Sequence, residues 1–194
     1  MDIRAEKDAI RRQVFAGRLD IDPTEKAVWD AAVANRILSL LPEGTRVVCA
    51  YVSVRGETGT EELIRKLRAS RIRVALPRVI PGPERRMRFF IPRRESDLEI
   101  SRFGIPEPRM SEEELGDPTC PVIVPGVAFS DRGARIGYGA GYYDRFFARE
   151  PGHMTIACAY DFQVFPEAVH PVFSADPRDV RMQKLVTPSR LYTF

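Results

Sequence analysis

Histidine and cysteine are scarce in this sequence of 194 residues, and their scarcity argues against several kinds of catalytic site. A hydrolytic triad needs a nucleophile beside a positioned base. The only histidines are His153, which follows a Pro-Gly pair, and His170, which precedes a proline, so both are predicted to lie in surface loops. Ser130 follows an apolar run but lacks the G-x-S-x-G elbow of serine hydrolases. Zinc ligation has no clustered Cys or His to draw on. Hydrolytic and zinc chemistry are therefore not expected.

The three cysteines and the absence of long apolar runs bear on location. Cys49, Cys120 and Cys158 stand far apart, each beside apolar residues, and an odd number without metal-ligand spacing predicts buried, reduced thiols in a cytoplasm. No apolar run approaches the roughly 20 residues of a membrane span. The charged start of the chain also lacks the apolar core of a secretion signal. We expect a cytoplasmic protein that does not bind membranes.

The net charge of +3 is modest, but arginine is concentrated between Arg85 and Arg94, where it is interleaved with aromatic residues. Such a stretch is compatible with the binding of single-stranded nucleic acid. It equally fits the solvated rim of a β-hairpin. Nucleic acid is not expected as a partner on this evidence alone.

Hydrophobic periodicity predicts one α/β domain over residues 1–194 with no linker. Helices are predicted at 3–17, 23–41, 60–70 and 141–149, with Asp22 and Thr60 as N-caps of the second and third. Strands are predicted at 46–52, 72–76, 87–91, 122–124, 155–159 and 184–187, and a one-turn helix with a capping-box pattern at 111–114. Strands that alternate with helices and are apolar on both faces indicate a mainly parallel sheet in a layered fold. Sites in such folds gather at the carboxyl ends of the strands.

The most informative segment runs from Val124 to Phe147, VPGVAFSDRGARIGYGAGYYDRFF. Gly137, Gly139 and Gly141 leave no side chains between the backbone N–H groups and a ligand, and glycine permits the positive φ that turns successive amides into one concavity. The residues that follow predict a helix whose positive N-terminal end faces the same place. Arg135 and Arg145 bracket the loop. The segment therefore predicts a site for a phosphate and its divalent cation.

The glycine spacing is neither that of a Walker A loop nor that of the dinucleotide fingerprint. The full string instead resembles the signature of the 5-formyltetrahydrofolate cyclo-ligase family, roughly P-G-x-A-F, six residues, then R-L-G-x-G-x-G-Y-Y-D-R. The matching positions are Pro125, Gly126, Ala128, Phe129, Arg135, Gly137, Gly139, Gly141, Tyr142, Tyr143, Asp144 and Arg145.

Further segments carry the same resemblance in order along the chain. They are Lys7 and Arg11, Tyr51–Thr60, Leu76–Pro77 with Met87 and Phe89, Phe103–Pro108, and Asp179–Val180 with Leu185–Thr187. The resemblance implies the three-layer α/β/α fold, with a mainly parallel sheet, shared with sugar-phosphate isomerases and CoA transferases. It also implies Mg²⁺-dependent use of ATP to close 5-formyltetrahydrofolate to 5,10-methenyltetrahydrofolate, with release of ADP and phosphate, by a protein expected to be a monomer.

The resemblance also assigns roles to residues of this chain. It implies catalytic roles for Arg135, Tyr143 and Asp144, and magnesium ligation by Asp144 and Asp179. It implies ATP contacts from Lys7, Arg11, Arg135, Ile136, Gly137, Tyr138, Gly139, Ala140, Gly141, Tyr142 and Tyr143. It implies contacts to the reduced folate from Val54, Glu57, Gly59, Tyr138, Gly139, Ala140, Gly141 and Tyr142.

Two other functions stay open at this point. Gly59 and Gln183 stand where the family often carries acidic or polar residues, which would suit a divergent paralogue that binds ATP but acts on another substrate. The arginines of 85–94 would suit a non-catalytic RNA-binding protein on the same fold.

Overall fold

The computed structural model describes residues 2–194, which form four α-helices, thirteen strands and three short 3-10 helices. The helices are α1 (Ile3–Leu19), α2 (Pro23–Leu40), α3 (Glu61–Ala69) and α4 (Tyr142–Arg149). The strands are β1 (Val47–Cys49), β2 (Arg73–Val79), β3 (Met87–Ile91), β4 (Leu98–Ile100), β5 (Pro106–Pro108), β6 (Glu113–Glu114), β7 (Val122–Val124), β8 (Ala128–Ser130), β9 (Arg135–Ile136), β10 (Thr155–Cys158), β11 (Val164–Phe165), β12 (Lys184–Val186) and β13 (Leu191–Thr193). The 3-10 helices are Glu95–Asp97, Asp161–Gln163 and Pro171–Ser174.

An eight-stranded sheet with the order β13-β12-β10-β7-β1-β2-β3-β6 lies at the centre. The five strands β12, β10, β7, β1 and β2 pair in parallel, and antiparallel strands complete both edges. The parallel strands are buried throughout their interior, as their Val- and Ile-rich runs predict. The predicted mainly parallel sheet is confirmed.

Helices cover both faces of this sheet. On one face, α2 and α3 pack their apolar sides, including Ile37 and Leu67, onto the sheet. On the other face, Phe146 and Phe147 of α4 pack against β1, β3 and β7. The result is the predicted three-layer α/β/α arrangement. Among the described residues, none of the four α-helices combines the length and the apolar character that a membrane crossing requires.

A second, three-stranded sheet of β11, β8 and β9 lies beside the main one and is covered by α1. Ile10 and Val14 of α1 pack against this sheet in a separate apolar cluster. The strands β8, β9 and β11 are only two or three residues long, too short for periodicity to reveal them. The antiparallel pair β4–β5 was also not predicted.

Three local predictions are corrected by the structure. Residues 111–114 do not form a helix, because Glu113 and Glu114 pair with β3 and form the edge strand β6 of the main sheet. Asp22 caps α2 as expected, but the Thr60 hydroxyl does not cap α3 and donates instead to the backbone oxygen of Tyr51 at 2.6 Å.

His153 is the third correction, because its ring is buried rather than in a surface loop. The ring stacks on Phe146, and Nδ1 lies 2.9 Å from the backbone oxygen of Cys120. A buried polar group that finds such a partner avoids the cost of desolvation. The three cysteines are buried and free, as predicted.

Candidate active site

The carboxyl ends of β1, β2 and β7 open into a cavity of about 1400 Å³. Residues that follow these strands, including Tyr51, Val54 and Pro125, line one side. The glycine loop, the first two turns of α1 and the β4–β5 hairpin line the others. The position agrees with the rule that sites of α/β sheets lie beyond the carboxyl ends of the strands.

The glycine loop between β9 and α4 requires its glycines for two different reasons. Gly139 has φ of 97° and Gly141, the N-cap of α4, has φ of 66°, a left-handed region that favours glycine. Gly137 does not have positive φ. A Cβ there would lie 2.9 Å from an Nη atom of Arg135, so glycine at this position leaves room for the Arg135 guanidinium. The predicted freedom of φ therefore holds at two of the three positions.

Arg135 is a buried cation at the base of this loop. It donates to Asp144 Oδ1 at 2.8 Å, and its guanidinium lies over the ring of Tyr143, 5.5 Å from the centroid. Arg145 donates to the backbone oxygen of Ala140 and so closes the loop from the α4 side. The three residues to which the sequence gives catalytic roles are thus in mutual contact.

Helix α1 brings two cations to the same end of the cavity. Lys7 Nζ lies 3.0 Å from Asp179 Oδ2, and Arg11 Nε donates to the backbone oxygen of Gly137 at 2.9 Å. The backbone N–H of Val180 lies 3.5 Å from Asp144 Oδ1, which places the segment of Asp179 beside Asp144. Within residues 2–194, no group of three or more His, Cys, Asp or Glu side chains could hold a metal on its own. The structure brings both predicted carboxylates into one cationic neighbourhood.

Glu57 lies on the cavity wall beside Tyr138 of the glycine loop. Its side chain is 4% exposed, with Oε2 accepting from the backbone N–H of Val54 at 2.9 Å and Oε1 from the Tyr138 hydroxyl at 2.7 Å. Burial raises the pKa of Glu57 above its ordinary value, against the lowering effects of these hydrogen bonds and of Arg18 and Arg55. Burial and the nearby Glu57 charge also raise the pKa of Tyr138 and Tyr143, so both hydroxyls stay protonated.

Comparisons with known proteins agree on one family. The family model described as the 5-formyltetrahydrofolate cyclo-ligase family matches residues 3–188. The chain belongs to this family.

A 5-formyltetrahydrofolate cyclo-ligase of Mycolicibacterium smegmatis is 33% identical over 194 aligned residues, which cover 95% of this chain and 94% of the relative. One of Saccharomyces cerevisiae is 34% identical, over 75% of this chain and 77% of the relative. The NMR structure of Aquifex aeolicus 5,10-methenyltetrahydrofolate synthetase superposes with a TM-score of 0.77 at 28% identity, covering 96% of this chain and 92% of that one.

Within this cyclo-ligase fold, nearly all the predicted site residues line the cavity, and Gly59 is the exception. Its N–H donates to Asp30 Oδ1 at 2.8 Å, and a Cβ at this position would lie 2.5 Å from Asp30 Oδ2. The close approach to Asp30 explains why glycine stands there. The structure does not place Gly59 in contact with the cavity.

Sequence reasoning assigned no role to several cavity residues. Phe103, Ile105 and Glu107 belong to a segment that carried the family resemblance, but its place opposite the glycine loop depends on the unpredicted β4–β5 pair. The role of Arg18, which lies behind the cavity wall and does not line it, was also not predicted. The sequence does contain a pattern that could have indicated it. Spacings of four and seven residues put Lys7, Arg11 and Arg18 on one face of a helix.

Proposed function

We propose that this protein catalyses the ATP- and Mg²⁺-dependent closure of 5-formyltetrahydrofolate to 5,10-methenyltetrahydrofolate, with release of ADP and phosphate. One observation carries the proposal. A single cavity presents the glycine loop with Lys7, Arg11 and Arg135, and also the buried carboxyl of Glu57 beside Tyr138. A triphosphate and a ring with N–H donors therefore have complementary walls in the same space, in a family whose named members are cyclo-ligases.

The proposed reaction requires no covalent intermediate with the protein. A formyl amide is a poor electrophile, because its nitrogen donates into the carbonyl group. In the proposed course, the formyl oxygen attacks the γ-phosphorus of ATP and ADP leaves. N10 of the folate then attacks the activated carbon, and phosphate departs as N10 loses its proton. Both nucleophiles belong to the substrates, in keeping with a site without a serine, cysteine or histidine nucleophile.

The chain's own residues would position the triphosphate and balance its charge. Lys7, Arg11 and Arg135 converge on the glycine loop from α1 and β9. The buried Nε–H groups of Arg135 and Arg145 have no acceptor among the described residues. Because an unsatisfied buried donor costs about 1–3 kcal/mol, a phosphate oxygen that accepts from either one would gain that free energy. Preorganised donors of this kind are the main source of catalysis in phosphoryl transfer.

Asp144 and Asp179 fit a magnesium ion that is shared with the nucleotide. Mg²⁺ commonly takes one or two carboxylates and completes its ligands with water and substrate phosphates, so a cluster of three carboxylates is not needed. When bound, the ion would neutralise phosphate charge. Until then, Arg135 and Lys7 balance the two carboxylates.

Glu57 would receive the folate. Each of its oxygens already accepts one hydrogen bond, and each keeps capacity for a second from a ring N–H. Val54 and Tyr143 line the adjacent surface and supply apolar contact. The ring would then lie against Glu57 and beside the glycine loop, with its formyl group directed toward the phosphates.

The first test is an absorbance assay for the methenyl product. Purified protein is mixed with 5-formyltetrahydrofolate, ATP and Mg²⁺, and ATP or Mg²⁺ is omitted in the controls. A rise that requires both is expected. A flat trace from protein that binds ATP would overturn the proposal and point to another substrate.

The variant Asp144→Asn tests the metal end of the site. Removing this negative charge should lower kcat by about 100-fold or more, while thermal unfolding stays cooperative. Asp20→Asn, at the exposed end of α1, is the matched control and should keep full activity. Full activity of Asp144→Asn would contradict the assignment.

The arginines of 85–94 do not favour nucleic-acid binding in the folded protein. Arg85, Arg86 and Arg88 belong to the turn and second strand of the β2–β3 hairpin, and Arg93 and Arg94 follow it at the start of a 3-10 helix. Arg86 and Arg88 form ion pairs with Glu84 and Glu114. Arg85 instead lines the cavity. We therefore do not propose RNA binding.

A further inference from the structure

Arg18 is an arginine placed in the interior behind the proposed folate wall. It lies in the last turn of α1 and is 7% exposed. Its guanidinium donates to the backbone oxygen of Gly126 at 2.7 Å and to the Tyr138 hydroxyl at 3.0 Å. It does not line the cavity. Burying a charge costs free energy unless the charge is paired or hydrogen-bonded. No carboxylate among the described residues lies within ion-pair distance of the Arg18 guanidinium.

Tyr138 connects this buried cation to Glu57. Its hydroxyl accepts from Arg18 and donates to Glu57 Oε1 at 2.7 Å, so one oxygen carries both bonds. Its ring stacks on Phe15 of α1 at 6.0 Å between centroids, and the guanidinium of Arg55 lies over the ring. Ring contacts on α1 and hydrogen bonds at the hydroxyl fix the side chain at both ends. Tyr138 is also a member of the glycine loop.

We propose that Arg18 is a positioning residue which, through the Tyr138 hydroxyl, holds the Glu57 carboxylate charged and aimed at the reduced folate. The inference rests on the proposed function. Polarisation by the cation strengthens the hydrogen bond that Tyr138 donates, as expected for a chain of bonds in a low dielectric. Because Tyr138 stands between Gly137 and Gly139, the same contact ties the nucleotide loop to the folate wall.

The groups around Glu57 have opposing effects on the charge of its carboxyl. Burial acts to neutralise this carboxyl, and the Val54 N–H, the Tyr138 hydroxyl, Arg18 and Arg55 act to keep it ionised. Three further titratable groups interact with Glu57: Tyr51 just after β1, Tyr143 of α4 and Cys158 of β10. Burial keeps all three protonated. The backbone oxygen of Glu57 also accepts from Tyr160. Arg18 and Arg55 are therefore the cations that act on Glu57.

Two substitutions separate the charge of Arg18 from the bond of Tyr138. Arg18→Met removes the cation, and Tyr138→Phe removes the hydroxyl while keeping the ring contacts. Each change removes an influence that lowers the pKa of Glu57, so this pKa should rise in both variants. Arg18→Lys retains a charge and should shift it less. Arg12→Met, a loss of the same charge from the exposed face of α1, is the matched control.

The measurement is the affinity for 5-formyltetrahydrofolate without ATP, determined by calorimetric titration from pH 4.5 to 8. In the unsubstituted protein, affinity should fall as the pH drops through the pKa of Glu57. In Arg18→Met and Tyr138→Phe, the midpoint of this fall should move to higher pH. Affinity near the midpoint should decrease about ten-fold, as expected for one hydrogen bond to a charged group. Arg12→Met should titrate like the unsubstituted protein.

The outcomes separate this inference from the function on which it rests. Failure of the unsubstituted protein to bind or convert the folate would overturn the proposed function. Normal conversion, with an unchanged midpoint in folded Arg18→Met, would overturn the positioning role alone. If Arg18→Met fails to unfold cooperatively, the test rests on Tyr138→Phe. This variant is expected to fold, because the Tyr138 side chain is partly exposed and its ring contacts remain. An unchanged midpoint in Tyr138→Phe would then reject the proposal.

Discussion

Glu167 shows at the scale of a single residue how a buried carboxylate holds distant segments together. It accepts from Ser130 of β8 at 2.7 Å, from Ser174, and from both terminal nitrogens of Arg181 at 2.9 and 2.7 Å. These bonds, led by those of Arg181, lower the pKa of Glu167 to about 2. Because the folded pKa lies below the unfolded value, the stabilisation is present above the unfolded pKa and is lost as pH falls toward 2.

We expect Glu167→Gln to lower the free energy of unfolding at pH 7 by about 2 kcal/mol. The cost should shrink progressively between pH 4.5 and pH 2, because the unfolded state of the unsubstituted protein binds the proton at a higher pH than the folded state does. Urea unfolding at pH 7 and pH 3 measures both values. Glu43→Gln, at an exposed turn, provides the control. An equal cost at the two pH values would show that the charge of Glu167 is not responsible.

Individual residues differ in how well the sequence predicts their location and role. Arg135 and Asp144 could be predicted because they stand in a contiguous segment whose chemistry is local. His153 could not, because its Pro-Gly neighbours indicate a turn while its ring is buried by the distant Phe146 and Cys120. The family resemblance implies a folate contact for Gly59, whereas the structure shows close approach to Asp30 at this position.

At the scale of elements, the glycine loop depends on backbone conformation, and this dependence can be tested against a matched glycine elsewhere. Gly139 has φ of 97°, and Gly44, in the turn between α2 and β1, has φ of 78°. Neither position would bring an added Cβ closer than 3.8 Å to another group. Alanine should therefore cost about 1–2 kcal/mol of stability at each position through backbone strain.

Only Gly139→Ala should change the proposed nucleotide site. A displaced loop would raise the KM for ATP, whereas Gly44→Ala should leave that constant unaltered. Steady-state kinetics together with thermal unfolding separate the two effects. A KM for ATP that is unchanged in Gly139→Ala would mean that the loop does not need its left-handed turn to bind the nucleotide.

Elements with strong periodicity were predicted well, and those defined by pairing were not. The helices α1 and α2 have clear boundaries at Asp2, Asp22 and Pro23, and the parallel strands are continuous apolar runs. Glu113 and Glu114 have helix-forming side chains but complete the edge of β3, with Arg73 and Arg88 as ion-pair partners. Such a strand is specified by its partner, which a local pattern does not contain.

For the molecule as a whole, the cavity depends on helix α1 staying attached to the body of the protein. Ile10 and Val14 bury one face of α1 against the small sheet, while Lys7 and Arg11 reach the cavity from neighbouring positions. Ile37 of α2 is equally buried, but it packs on the opposite face of the main sheet. Substitutions in these two clusters should have separable consequences for function.

We predict that Ile10→Ala and Ile37→Ala each destabilise the protein by about 2–5 kcal/mol, the usual cost of such a cavity. At a temperature where both remain folded, Ile10→Ala should raise the KM for ATP and Ile37→Ala should not, because, of these two helices, only α1 carries cations that we propose bind phosphate. Native-state hydrogen exchange supplies a readout independent of turnover. Amides of α1 should exchange faster in Ile10→Ala, and those of α2 in Ile37→Ala. Equal effects of both substitutions on the KM for ATP would show that the nucleotide site responds to global stability rather than to the seating of α1.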